Sequence, residues 1–117
     1  MPSPTEPVRL LQVGAGLMGR AWLRAIGPST DVRLVGLADL DLDTARRSAA
    51  DAGFTDVAVA TTLEELLDRV EADAVINVTI PEAHAEVSTI ALLSGLAVLC
   101  EKPLADTLPS ALSMIAA

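Results

Sequence analysis

The sequence predicts an α/β fold, a doubly wound parallel sheet in strand order 3-2-1-4-5, with a sixth strand expected beyond the C-terminus. Two observations predict it. Short β-prone runs alternate with amphipathic helical patterns of about 10–15 residues, the signature of βαβ units. The β-prone runs are nearly continuously apolar, as strands are when helices cover both faces of a parallel sheet. Right-handed crossovers then leave few topologies, of which the doubly wound sheet fits best.

Each element follows in turn. Val8–Val13 is a β-prone run closed by Gly14. A helix follows over Leu17–Ile26, with Leu17, Ala21 and Ala25 on one stripe, Met18, Trp22 and Ile26 beside it, and Gly27-Pro28 ending it. Val32–Ala38 is a second strand that ends on Asp39. Asp41 or Asp43 opens the next helix, which runs to Gly53 with Ala45, Ala49 and Ala52 inward. Val57–Ala60 is a short third strand, and Thr61 or Thr62 caps a helix with Glu64 or Glu65 as capping-box partner. Ala74–Thr79 is a fourth strand, and Pro81 suits the first turn of the helix after it. That helix carries Val87, Ile90, Ala91 and Ser94 on one side and stops at Gly95; Leu96–Cys100 is a fifth strand, and a last helix starts at Asp106.

Composition narrows the function classes. The 117 residues hold 8 Lys+Arg against 16 Asp+Glu, a net charge of −8. Binding to nucleic acid or an anionic membrane surface runs on surplus cationic charge, so neither is expected. Hydrophobic residues make up 51%, which excludes disorder, yet only one Trp and one Phe occur and no Tyr. The core is therefore aliphatic, and a base-stacking platform lacks its aromatics. A single Cys excludes an internal disulfide framework and a multi-cysteine zinc site. Residues 1–7 read as a polar, Pro-rich tail, disordered and without a secretory pattern, and a cytoplasmic protein is the expectation. Mean hydropathy is +0.48, high for so short a chain with no membrane span.

Four local signals carry chemistry. Gly14-Ala15-Gly16-Leu17-Met18-Gly19 reads G-x-G-x-x-G between a strand and a helix, the context in which the motif binds a dinucleotide. Gly14 makes the tight turn, Gly16 lets a pyrophosphate approach the backbone, and Gly19 packs helix on strand. The helix N-terminus offers free N–H groups and partial positive charge. Asp39 ends the second strand about 20 residues beyond the glycines, where a carboxylate accepts from the adenosine ribose and repels a 2′-phosphate. That favours NAD over NADP; the alternative is a capping or solvated aspartate, a role Asp41 and Asp43 fill equally well. Arg46 and Arg47 are expected on the solvent face. The third signal is the tip of strand four, which puts Thr79, Ile80 and Pro81 beside the crevice. His84 is either a surface residue of the helix start or a residue behind that crevice. The fourth is Cys100-Glu101-Lys102-Pro103 at the end of strand five. There Lys102 is either a cation bonding a substrate oxygen or half of a solvated ion pair, and Cys100 is a small strand hydrophobe.

Together these pieces resemble the N-terminal half of the glucose–fructose oxidoreductase / inositol dehydrogenase / MocA (Gfo/Idh/MocA) family, from about Val8 to Ala117. The run from Ala74–Thr79 through Pro81, His84 and Gly95 to Val98-Leu99-Cys100-Glu101-Lys102-Pro103 carries it, with Glu-Lys-Pro the most specific part. Ile80 departs, standing where many members have proline. The resemblance implies an NAD(P)-binding Rossmann domain over 8–117, truncated, and a second α/β domain for substrate and oligomer contacts that this chain lacks. It implies hydride transfer between nicotinamide and a hydroxyl-bearing carbon of a sugar, cyclitol or related polyol. By motif, Gly14, Ala15, Gly16, Leu17, Met18 and Gly19 hold the pyrophosphate and Asp39 the ribose. Thr79, Ile80, Pro81, His84, Glu101 and Lys102 lie on the nicotinamide side, with Lys102 catalytic. No metal is implied, and the full-length protein is expected to be a homo-oligomer. Two other readings stand beside it: a non-catalytic dinucleotide-binding module, such as a redox sensor or regulatory remnant, and a different Rossmann-type reductase.

Overall fold

The computed structural model describes residues 6–79 and 81–100, apart from the side chains of Pro81, Glu82, His84 and Cys100. Among the described residues five strands and four helices alternate: β1 Val8–Val13, α1 Leu17–Ile26, β2 Val32–Ala38, α2 Leu42–Asp51, β3 Ala58–Ala60, α3 Leu63–Arg69, β4 Ala74–Asn77, α4 Pro81–Leu93 and β5 Ala97–Cys100. The strands form one sheet in the order β3-β2-β1-β4-β5, and every pairing is parallel. The expected topology is thus the observed one over the described strands. The expected last helix and sixth strand fall outside the described residues, as does the tail except Glu6 and Pro7.

Two apolar layers sandwich the sheet. Leu10, Leu34, Leu37 and Ile76 pack with Leu23 and Ile26 of α1 and Ala45 and Ala49 of α2. Leu11, Val13 and Val75 pack on the opposite face with Leu63 and Leu66 of α3 and Ala91 of α4. Alternating residues of β1 therefore serve opposite layers, which is why that strand reads as a continuous apolar run.

Helix α1 docks through the expected second stripe at Trp22 and Ile26 rather than through Leu17, Ala21 and Ala25. Its buried residues are Gly19, Leu23 and Ile26, while Leu17 is 82% exposed and Met18 53%. Ala25 is exposed as well. Arg20 and Arg24 lie exposed on the far side, and Gly19 allows the near side to close in, since a Cβ there would come within 2.3 Å of the Gly14 carbonyl oxygen. Residues four and seven beyond Gly19 follow it inward. In α4 the buried residues include Ser88 and Ala91, whereas Ser94, expected on the same side as Ala91, lies just past the helix, exposed, and returns its hydroxyl to Ile90 O at 2.8 Å. The third, fourth and fifth strands are shorter than expected, without Val57, Val78-Thr79 and Leu96.

The helix ends follow capping chemistry. Asp41 caps α2, accepting from the N–H groups of Asp43 and Thr44, and its carboxyl is held below its ordinary pKa chiefly by the bond from Thr44. Thr62 caps α3 by accepting from Glu65 N–H, while the Glu65 carboxylate accepts from Thr61 Oγ1 at 2.9 Å. The capping box is therefore half formed, its acidic partner turned to the neighbouring threonine.

At the N-terminal edge of the sheet Arg9 donates to both Asp73 oxygens and to Glu71. The Asp73 side chain is 8% exposed. Its pKa is lowered from 3.8 to about 2, first by the Arg9 side chain and then by the Arg9 backbone N–H. A carboxyl depressed by folding stabilises above its unfolded pKa, and that contribution is lost as pH falls through the folded value. Acidification from about pH 5 to about pH 2 is therefore expected to narrow the gap in thermal midpoint between the parent chain and Asp73→Asn. A gap independent of pH over that window contradicts the assignment.

Candidate functional site

The chain lays its strands outward on one side of β1 and then, from β4, on the other, and the loops that leave β1 and β4 meet at their carboxyl ends. Gly14 has φ +112, and a Cβ there would lie 2.5 Å from Val78 O. Two backbones therefore abut at a point where only glycine fits both the dihedral and the space. Gly14 N–H donates to Ala38 O at 2.8 Å, and Val78 N–H to Val13 O at 2.9 Å, so the loop is tied to both neighbouring strand ends.

Four buried or half-buried side chains hold these loops. Gln12, fully buried on β1, donates from Nε2 to Gly14 O and to Gly19 O, each at 2.9 Å. Ser48 of α2, 2% exposed, donates to Ala15 O at 2.9 Å, and Arg20 Nε approaches its oxygen at 3.4 Å. Asp39 Oδ1 accepts from Ala15 N–H and Oδ2 from Asp41 N–H, both at 3.0 Å. Asn77, fully buried at the end of β4, donates to Ser88 Oγ at 2.8 Å and accepts from Thr79 Oγ1 at 2.7 Å, which fixes the strand tip.

The opening of α1 is different in kind. Gly16 occupies its N-cap position and supplies no side-chain cap, and no acidic residue lies in the first turn. Gly16 is exposed, and a Cβ there meets nothing within 4 Å. First-turn N–H groups with neither side-chain acceptor nor acidic neighbour form a ready site for an anionic oxygen.

Gly14, Ala15, Gly16, Leu17, Met18 and Gly19 thus form one loop and helix start, with Asp39 bonded to it on the β2 side and Thr79 beside it on the β4 side. Arg46 and Arg47 are exposed on α2, as expected. Pro81 and His84 fall in the first turn of α4, with only their backbone described. Ile80, Glu101 and Lys102 lie outside the described residues, so their expected place at the crevice is not addressed by the geometry. The sequence reading missed Gln12, Ser48, Asn77 and Ser88. One signal was available: each is polar within an apolar strand or on an apolar helix face. Among the described residues no group of three or more His, Cys, Asp or Glu is arranged to hold a metal ion. No helix there is long and apolar enough to cross a membrane.

Comparison with known proteins agrees with this architecture. A family model described as "Oxidoreductase family, NAD-binding Rossmann fold" matches residues 8–117. Inositol 2-dehydrogenase 1 of Saccharopolyspora erythraea is 34% identical over 110 residues, covering 93% of this chain and 32% of that protein. The crystal structure of myo-inositol dehydrogenase from Lactobacillus casei in complex with NAD(H) and myo-inositol superposes with TM-score 0.87 at 29% identity, over 94% of this chain and 32% of the other. KijD10, a 3-ketoreductase from Actinomadura kijaniata crystallised as a variant with TDP-benzene and NADP, gives TM-score 0.79 at 27% identity, over 94% of this chain and 34% of the other. The chain spans about a third of the length of these relatives. On fold, loop and match together, the chain belongs to the Gfo/Idh/MocA oxidoreductase family and corresponds to its NAD-binding Rossmann domain.

Proposed function

We propose that residues 8–117 bind the dinucleotide of an NAD-dependent oxidoreductase that moves hydride to or from a hydroxyl-bearing carbon of a sugar, cyclitol or related polyol. The observation that carries the reading is the uncapped start of α1 beside Gly16, where the missing side chain leaves open space against free N–H groups. The residues present fit the cofactor: a glycine cradle for the pyrophosphate, a carboxylate at the β2 end, and a strand tip closing the other side. When bound, the nicotinamide supplies a two-electron hydride acceptor or donor. Gly16, Leu17 and Met18 bind the pyrophosphate through backbone N–H groups. Asp39 retains lone pairs beyond its two N–H partners and accepts from the ribose hydroxyls. Thr79, Ile80, Pro81, His84 and Glu101 border the nicotinamide side, and Lys102 orients and polarises the substrate hydroxyl.

NAD is preferred to NADP in this reading because the Asp39 carboxylate repels a 2′-phosphate. The relatives do not share one choice, NAD(H) being bound in the Lactobacillus protein and NADP in KijD10. Asp39→Ala is expected to weaken NADH more than NADPH in calorimetric titration; equal weakening removes Asp39 from the ribose role. The acid–base group and pocket wall of the reaction are assigned to the second domain of the longer relatives. The 117 residues alone, assayed with NAD and a polyol panel, are therefore expected to fall short by the ~10²–10⁴-fold that proton transfer contributes. Full dehydrogenase rates from this chain overturn that division of labour.

A further inference from the structure

The glycine loop is held from beneath by side chains that never reach its outer surface. Gln12 stands in a strand whose other inward positions are aliphatic, and it is 0% exposed. Both protons of its amide are used, on Gly14 O and Gly19 O. The reverse amide orientation would set an oxygen against two carbonyl oxygens, so the chemistry fixes the one described. Its Oε1 is then left buried with no hydrogen-bond partner among the described residues. That unpaired acceptor is a cost an apolar residue of similar size would not carry, set against the partner the amide gives the buried Gly14 O. Gly19 O already lies within α1, where the N–H four residues on is its regular donor, so helix formation does not require the Gln12 bond. Ser48 adds a second hold from a different element, bonding Ala15 O across to α2.

The direction of these bonds matters. They engage the carbonyl oxygens of Gly14, Ala15 and Gly19. Across a trans peptide a carbonyl and the next residue's N–H point opposite ways, so Ala15 O held inward by Ser48 turns Gly16 N–H out, while Gln12 fixes the peptide before it and the helix turn after it. Gly14 at φ +112 is a conformation that relaxes unless its surroundings over-determine it. We propose that Gln12 and Ser48 are positioning residues that clamp the loop carbonyls from within, keeping the N–H groups of Gly16 to Met18 aimed at an anionic diphosphate. The clamp rests on the dinucleotide reading above and adds two residues that do not touch the ligand.

Gln12→Met keeps the length of the side chain and removes both donors and the unpaired acceptor. Ser48→Ala removes the second hold alone. Each is to be titrated with NADH by calorimetry and melted without ligand, with amide hydrogen exchange followed at Gly16, Leu17 and Met18. The expected result is an NADH affinity about 10-fold weaker in each variant and faster exchange at the three amides, by more than at the amides of β1 and β2, in a chain that still melts cooperatively. If Gln12→Met does not fold, Ser48→Ala decides alone. Parent-like affinity with unchanged exchange in a folded variant overturns the clamp and leaves the dinucleotide reading intact. A parent chain that binds neither NADH nor NADPH overturns the dinucleotide reading itself.

Discussion

Gly14→Ala is expected to destabilise the chain by about 2–6 kcal/mol, a large fraction of the ~5–15 kcal/mol typical of a whole domain. Two independent costs add there. The residue sits at φ +112, where a side chain strains the backbone by about 1–3 kcal/mol. The new methyl would also lie 2.5 Å from Val78 O and 2.7 Å from Val78 C. Both are backbone atoms of the loop after β4, so no rotamer change relieves the overlap, and overpacking of this kind costs about 1–3 kcal/mol. Gly53 supplies the control: its φ is +85, but a Cβ there meets nothing within 4 Å. Gly53→Ala bears the dihedral cost alone, about 1–2 kcal/mol. In urea the Gly14→Ala midpoint should fall well below that of Gly53→Ala with similar slopes. Equal midpoints contradict the close approach of the two loops.

Gly16→Val is expected to do the opposite, leaving the fold and removing the ligand. The position has φ −75, open to any residue, and its Cβ points into empty space. The stability cost is that of a poorer cap, about 1 kcal/mol or less. A branched side chain there occupies the space a pyrophosphate needs against the first-turn N–H groups. Hydrogen bonds to a charged group contribute about 1.5–3 kcal/mol each, so loss of one or two weakens NADH at least ~10-fold to 100-fold. Parent-like NADH affinity in a folded Gly16→Val chain places the pyrophosphate elsewhere.

The contrast between two glycines of one motif shows what sequence conveys and what it does not. The alternation of apolar runs and amphipathic patterns is enough for strand order, because burial on both faces and right-handed crossovers leave little choice. The motif locates the loop, since strand, turn and helix start are local events. The docking face of α1 is legible once its charges are weighed: Arg20 and Arg24 flank Leu17 and Ala21, while Trp22, Leu23 and Ile26 gather on the side where Gly19 meets the Gly14 carbonyl. The hold of Ser48 is not legible, for it depends on Ala15 O, 33 residues away, brought near by tertiary structure. Its place at a strand end marks Asp39 as a candidate ribose partner. Its bonds to Ala15 and Asp41 N–H add a second task, joining the glycine loop to the start of α2.

That joining implies a site assembled before ligand arrives, with loop, strand tip and carboxylate already in place. Calorimetric titration of the chain with NADH, set beside the same titration of Gly16→Val, tests this most directly. The account predicts saturable one-to-one binding by the parent, with NADPH weaker, and its loss in a variant that melts near the parent midpoint. Absence of saturable binding of either nucleotide by the folded parent chain would contradict it.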